Sequence, residues 1–396
     1  MLLDFTFIDQ TSYLEGFHRS GWYYVVQNLL TLQCSDSDKK SAIWVDTYVD
    51  RTFHYGKTDL IPYTHPWIGF IHHTFNTGFS DYNNTVLFQK NVFLQSLPYC
   101  KGLFVFGKYQ RLKMISALTS VGFPKIKVTA LIHPTEFVTN NFTVDKFMKN
   151  SNRQIVQIGA WLRDVYAIYR LFDWYGPGTS YVDIGCGDGT CVVGKSILQG
   201  PYMSNYMKPA DFFEMFKTDS WQKSLLEPTP EDMDVVPFDV TQSSDTSTRI
   251  TSSNGEIPVS QQICRGLGGD RLNKYVIGAI NLLSEVDECV TVIPTLSNDD
   301  YDTLLSQNIV FVFLYDAAAV NTLIECIVRN TPIIVNRLPC VVEMLGDGYP
   351  LLYDEIEDLE TTITKKNIVS AYNYLNSLDK SSLIMKNFMA SFVSAL

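Results

Sequence analysis

No run of about 18 consecutive apolar residues occurs in these 396 residues, so no membrane-spanning helix is expected. The opening MLLDFTFIDQ brings an acid early and no basic region, so it does not read as a secretory signal, and a cytoplasmic location is expected. Basic residues are outnumbered, 31 Lys and Arg against 42 Asp and Glu, and the formal charge is −11. That balance argues against a surface that wraps nucleic acid or clings to anionic lipid, though it permits a local basic pocket for a phosphate. Histidine disappears after His133, so the second two-thirds of the chain works without imidazole. Zinc spacing is missing as well. The eight cysteines, at 34, 100, 186, 191, 264, 289, 326 and 340, are scattered and several sit in apolar runs. They read as reduced, buried thiols, with no metal site.

What is present is a globular composition, 46% apolar and 18% charged, in a chain long enough for about two domains. In the first half, Ala42–Asp46 and Trp67–Ile71 are short apolar runs bounded by polar residues and read as buried strands. Leu103–Phe106 is another, followed by a helical stretch with Leu112, Ile115 and Leu118 on one face and Gly122 at its end. Ile126–Leu131 reads as the next strand. Alternating strands and helices imply a parallel sheet covered on both faces. The polar stretch Asn140–Asn152 reads as an inter-domain linker.

The second half repeats the theme. Gln154–Gly159 reads as a strand, and Val165, Ile168, Tyr169 and Phe172 follow at helical spacing. Between 241 and 260, ten of twenty residues are Ser or Thr, which predicts a loop. Strands are expected at Val290–Ile293, Asn308–Leu314, Pro332–Val335 and Leu351–Tyr353, with helices near Asp300–Ser306, from Asn321, and near Val341–Leu345. Helices close the chain. The expected units are 1–140, 153–365 and a helical end at 366–396 that packs across the join.

Ligands of parallel α/β sheets sit beyond the carboxyl ends of strands, where helix N-termini present backbone N–H groups. The segment from Asn308 to Tyr353 has that form: an apolar strand, Asp316, a run of small residues, then a helix beginning at Asn321-Thr322. Glu325, one turn on, is placed to accept ribose hydroxyls. By spacing alone, Asn321 reads equally well as a plain N-cap and Glu325 as a solvated helix residue.

The run NTLIECIVRNTPIIV, then LPCVVEMLGDGYPLLY, resembles the nucleotide-binding half of GT-B glycosyltransferases of the group-1 (family-4-like) type, and IVQIGAWLRDVYAIYRL resembles the opening of that domain. The resemblance extends to enzymes encoded by large DNA viruses of algae (chlorovirus-like), which would place the protein in the host cytoplasm. More weakly it includes HRSGWYYV and WIGFIHHTF. It implies two Rossmann-like α/β domains facing across a cleft, and sugar transfer from a UDP- or GDP-linked donor to a hydroxyl of a glycan or glycoprotein. The nucleotide-sugar is a co-substrate, and no cofactor or metal is implied. Gly159, Arg163, Asn321, Thr322 and Glu325 would hold the donor, and Lys195 would point at its phosphates. Retaining members often carry a Glu eight positions before the helix Glu. Here Ala317 stands there, with Asp316 beside it, so the anomeric outcome stays open. A base in the first domain is sought among His72 and His73, which follow a strand, and Asp46, which ends its neighbour. Asp50 lies one turn after Asp46, and His133 ends the domain's last strand.

Two other patterns overlap at 181–196. VDIGCGDG matches the glycine loop of S-adenosylmethionine-dependent methyltransferases, which would use Asp183, Gly185 and Gly187. GTCVVGKS matches the phosphate loop, with Asp316 as a magnesium partner. Neither is followed by the helix its mechanism requires. A methyltransferase remains one alternative function, and a non-catalytic carbohydrate-binding protein another.

Overall fold

The computed structural model describes residues 1–159 apart from 9, 11–19, 57, 78, 80 and 81, and residues 296–396. Between them it describes 162–164, 167, 168, 171 and the backbone of strands at 182–183, 192–193, 196–199 and 290–293. The Ser/Thr-rich stretch, Lys195, Gly185 and Gly187 lie outside the described residues, as do Val165, Tyr169 and Phe172.

The first domain runs β1 (Leu3–Asp4), α1 (Trp22–Leu29), β2 (Ile43–Asp46), α2 (Val49–His54), β3 (Trp67–Ile71), α3 (Asn84–Leu87), α4 (Asn91–Ser96), β4 (Cys100–Phe106), α5 (Lys108–Ser120) and β5 (Val128–Leu131). The five strands are all parallel, in the order β1-β2-β3-β4-β5. On its other side Leu3 bridges Gln33 in parallel, after α1. The chain therefore leaves β1 toward one edge, returns to pair on the other, and switches direction between β1 and β2. One face of the sheet packs Trp22, Val25 and Val26 of α1, and the opposite face packs Phe53, Phe93, Met114 and Leu118 of α2, α4 and α5. The expected apolar face of α5 is displaced. Leu112 is 63% exposed, whereas Gln110 and Met114 turn inward with Leu118. Gln110 is drawn inward by a bond across the domain boundary, its amide donating to Ala317 O at 2.8 Å.

The second domain runs α6 (Val144–Lys149), β6 (Ile155–Ile158), β7 (Val182–Asp183), β8 (Val192–Val193), β9 (Ser196–Gln199), β10 (Val290–Ile293), α7 (Asn298–Gln307), β11 (Ile309–Val312), α8 (Asn321–Arg329), β12 (Ile333–Asn336), α9 (Pro339–Leu345) and β13 (Leu352–Tyr353). After it come α10 (Leu359–Thr362), α11 (Lys365–Ser377) and α12 (Met385–Ala395). Six parallel strands take the order β10-β9-β6-β11-β12-β13, which in their own sequence order is 3-2-1-4-5-6, the doubly wound pattern of dinucleotide-binding domains. The full burial of Ile309–Val312 and Ile333–Asn336 explains their near-continuous apolar sequence. Phe142 and Phe147, within the polar stretch read as a linker, are buried in this domain's core.

Ile368, Ala371 and Leu375 of α11 pack on the second domain. Met385, Phe388 and Phe392 of α12 cross back and complete the α1 face of the first. The rings of Phe70 and Phe104 lie 5.4 and 5.0 Å from that of Phe392. Phe392→Ala should accordingly cost about 3–5 kcal/mol in denaturant unfolding. The half-exposed neighbour Val393, changed to Ala, should stay within about 0.5 kcal/mol. Equal losses would mean that α12 is not part of the first domain's core.

Candidate functional site

Each strand order reverses once, in the first domain between β1 and β2 and in the second between β6 and β11. Crevices at such reversals are where parallel sheets bind ligands, because neighbouring loops diverge there. At the second, β6 ends in Gly159 with φ +78°, and a Cβ there would lie 3.1 Å from the Arg163 Cζ. Glycine is required twice over, by backbone sign and by the guanidinium against it. Leu162 also takes φ +57°, a costly conformation for a branched side chain. The turn is held by chain pairing across the crevice. Asp164 N donates to Phe313 O and Tyr315 N to Leu162 O, both at 3.0 Å, and Arg163 bridges Leu314.

This pairing carries the Arg163 guanidinium to the start of α8, where its Nη2 donates to Thr322 Oγ1 at 3.1 Å. The N-cap of α8 is Val320, which has no side-chain hydrogen bond to offer, and Asn321 is the first helical residue. Asn321 is therefore not the cap. Gly159, Arg163, Thr322 and the uncapped first turn converge on one spot. A cationic side chain beside the positive end of a helix is repulsive by itself and becomes favourable when both face an anion.

Glu325 lies deeper than a solvated helix residue, at 1% exposure. Tyr301 Oη donates to its Oε2 at 2.5 Å, and Ser20 Oγ, from the first domain, donates to Oε1 in a short hydrogen bond. Burial and the adjacent Glu325 hold the Tyr301 hydroxyl well above its ordinary pKa, so it remains a donor. Behind it Arg329, fully buried, pairs with Asp302 at 2.6 Å. The carboxylate thus holds two hydroxyls, one of them, that of Ser20, from across the domain seam.

Other contacts tie the two edges together. Asn76 Nδ2 donates to Tyr315 O at 3.3 Å, and the Phe79 and Tyr315 rings are 5.8 Å apart. Glu343 of α9 accepts the Lys108 N–H at 2.7 and 2.8 Å and the Tyr109 N–H at 3.2 Å. It caps α5 from the other domain, where Gly107 has no side chain to do so.

On the first-domain side, Asp46 and the two histidines part company. Asp46 is fully buried at the β1/β2 crevice, and its oxygens accept from Gln10 Nε2 (3.2 Å), Tyr48 N (2.9 Å) and Tyr63 Oη (2.9 Å). It holds the turn after β2 and presents nothing to the cleft. Asp50, in the first turn of α2, accepts the backbone N–H groups of His72 (2.6 Å) and His73 (3.1 Å). His72 keeps 14% of its side chain exposed, packed among Trp22, Tyr48 and Phe106, and is four residues from the Asn76 contact. His73 is buried, and burial lowers its pKa although Asp50 opposes this. His133 is also buried, its Nδ1 2.8 Å from Pro134 O.

The rival loops meet a different context. β7 and β8 pair antiparallel in a separate two-stranded sheet. VDIGCGDG therefore does not follow the first strand of a parallel sheet, as a methyltransferase loop does. Ser196 begins strand β9, where a phosphate loop needs a helix.

No family model matches the chain, and no curated protein does. Among solved structures it is similar to the N-terminal domain of trehalose-6-phosphate phosphatase from Candida albicans. That alignment has a TM-score of 0.51 and 12% identity, covering 94% of this chain and 75% of that one. The fold is GT-B. Two Rossmann-like domains face each other across a cleft formed by the carboxyl ends of both sheets. The chain also aligns with TarM (TM-score 0.48, 11% identity, 93% of this chain and 57% of that one). A third alignment is with a UDP-forming trehalose-phosphate synthase from Burkholderia xenovorans (TM-score 0.48, 8% identity, 94% and 78%). It thus spans little more than half the length of TarM.

Ser20, Tyr301 and Glu343 were not singled out by sequence reasoning. Ser20 and Glu325 are 305 positions apart, and no local pattern announces such a contact. Asp50 carried a weak signal, one turn beyond a strand-ending acid.

Burial raises the Asp46 carboxyl to about 6 despite its hydrogen bonds. The folded-state value lies above the unfolded one, so this contribution to stability is complete below the unfolded value and is lost as pH rises through about 6. Relative to Asp46→Asn, the wild type should lose of order 2 kcal/mol of unfolding free energy between pH 4 and 8. Parallel urea midpoints for the two proteins across that range would contradict it.

Proposed function

We propose that the protein is a glycosyltransferase that moves a sugar from a nucleotide-sugar, UDP- or GDP-linked, to a hydroxyl of a glycan or glycoprotein. The observation that carries this reading is the convergence of Gly159, Arg163 and the uncapped start of α8 at the strand-order reversal of the second domain. A diphosphate there would meet the guanidinium, backbone N–H groups and the Thr322 hydroxyl together. Those groups stabilise charge on the leaving diphosphate without a metal ion. Lys195 would add a charge from the same domain. Glu325 supports the ribose end, since its carboxylate is already built to accept two hydroxyls, one of which a ribose hydroxyl would replace.

His72 is the first-domain group best placed for the acceptor, through its chain proximity to the Asn76–Tyr315 contact at the second domain's crevice. Hexosyl or pentosyl transfer is equally compatible with these residues. Among the described residues no helix is long and apolar enough to cross a membrane. The carbohydrate-binding alternative requires no diphosphate site, and the Arg163 arrangement is what favours the transferase over it.

Melting temperature measured against UDP, GDP, their sugar conjugates and S-adenosylmethionine tests this directly, since a bound ligand stabilises by RT ln(1 + [L]/Kd). One nucleoside diphosphate should raise it, and Arg163→Ala should weaken that ligand by about 10- to 100-fold, the loss of a charged hydrogen bond. Stabilisation by S-adenosylmethionine alone, or undiminished diphosphate binding by the variant, would overturn the assignment.

A further inference from the structure

Asp and Glu number 42 in this chain, yet none occurs from 82 to 135, a stretch that carries seven Lys and Arg. Six of those cations gather on one flank of the first domain. Lys108 and Arg111 stand in the first turn of α5 and Lys113 in the second. Lys125 and Lys127 lead into β5, and Lys101 stands near the start of its neighbour β4. All are exposed except the half-buried Lys113, which lies over the Tyr109 ring at 4.7 Å. Among the described residues, none of the six pairs with a carboxylate side chain. Arg111 Nε donates to Val128 O at 2.8 Å, which carries the guanidinium to the edge strand β5, one residue from Lys127. The two groups of cations therefore form one strip. Lys127 Nζ itself donates to Ala395 O at the end of α12.

Cations in the first turn of a helix oppose its dipole, and α5 has no acid of its own there. Glu343, reaching from α9, supplies one negative charge against them. The strip is unfavourable in the free protein and becomes favourable beside further negative charge. Position limits what that charge can be. α5 starts at the carboxyl end of β4, against Glu343 of the second domain, so the strip opens on the domain seam. From there it follows the 13 residues of α5, about 20 Å of helix. A flat anionic membrane would also bring its field onto the acidic remainder of a chain of net charge −11, over a screening length of about 8 Å. On α5 the exposed large apolar residue is Leu112 alone, too little to anchor a helix in lipid. A single extended chain touches only the strip.

We propose that α5 and the entrance to β5 form a binding track for an acidic glycan, a chain bearing carboxylate or phosphate on successive sugars, and that this chain is the acceptor whose end enters the cleft past Lys108. The assignment names the acceptor class of the glycosyltransferase reading and rests on that reading. The cations hold the chain away from the transferred sugar, so they act on acceptor binding and leave the donor site at Arg163 untouched.

Fluorescence anisotropy of the full chain with labelled oligogalacturonate, phosphomannan and neutral mannan, at about 0.15 M salt, tests the track. At least one acidic glycan should bind and neutral mannan should not, and the better of the two acidic probes identifies the anion. A triple variant, Lys108→Gln with Lys113→Gln and Lys125→Gln, removes side chains that make no hydrogen bond among the described residues. It should weaken that binding about tenfold or more, the sum of three modest exposed charge contacts, with an unchanged melting response to UDP or GDP. Removing the same charge elsewhere, with Lys149, Lys365 and Lys366 changed to Gln, should leave glycan binding as it was. Equal binding of neutral mannan, an undiminished affinity in the α5 variant or an equal loss in the control overturns the proposal. So does tighter, variant-sensitive binding to phosphatidylglycerol vesicles, which would make the strip a membrane contact. Acidic-glycan binding as expected, with no nucleoside diphosphate raising the melting temperature, would instead overturn the transferase reading and leave a carbohydrate-binding protein.

Discussion

The pairing of the turn after β6 with the chain leaving β11 is the contact on which the second domain's chemistry depends. Parallel strands cannot be joined by tight hairpins, so each crossover passes over one face of the sheet. Where successive crossovers go to opposite sides, two loops part and a crevice opens. In this protein the parted loops are stitched by the Leu162–Tyr315 and Asp164–Phe313 backbone bonds, which oblige Arg163 to sit over the start of α8. Gly159 yields the space. Without that stitching, a long, entropically costly side chain would have no reason to hold one position.

Carboxylates dominate the seam between the domains. Glu343 caps α5 from the opposite domain, and Glu325 holds the Ser20 hydroxyl. Glu325 is buried, and a hydroxyl left without its carboxylate there would cost about 1–3 kcal/mol, whereas the exposed Glu343 bonds compete with water. Binding of a donor ribose at Glu325 would exchange one hydroxyl for another.

Much of this organisation is legible in the sequence. Short apolar strands of parallel sheets announce themselves, which is why Trp67–Ile71 and Val290–Ile293 match their expected bounds and β11 and β12 fall within a residue or two of theirs. Gly159 and Arg163 were legible as a local pair because four residues span one turn. α5 shows where such reading stops. Its periodicity offered Leu112 to the core, yet Gln110 took an inward place because a carbonyl 207 positions away needed a donor. Asp46 shows the same limit, since its position at a strand end signals a cleft while its three donors make it structural.

By itself the sequence determined the alternation of strands and helices, the acidic surface and the helix with small residues before it. Those follow from periodicity and local backbone preference, which act over a few residues. Only the tertiary structure decided the order of the strands, the pairing of Asp50 with His72, and the filling of the Glu325 carboxylate by Ser20. Each depends on bringing together segments remote in sequence, and hydrogen-bond partners at that separation are chosen by how layers pack, not by spacing along the chain.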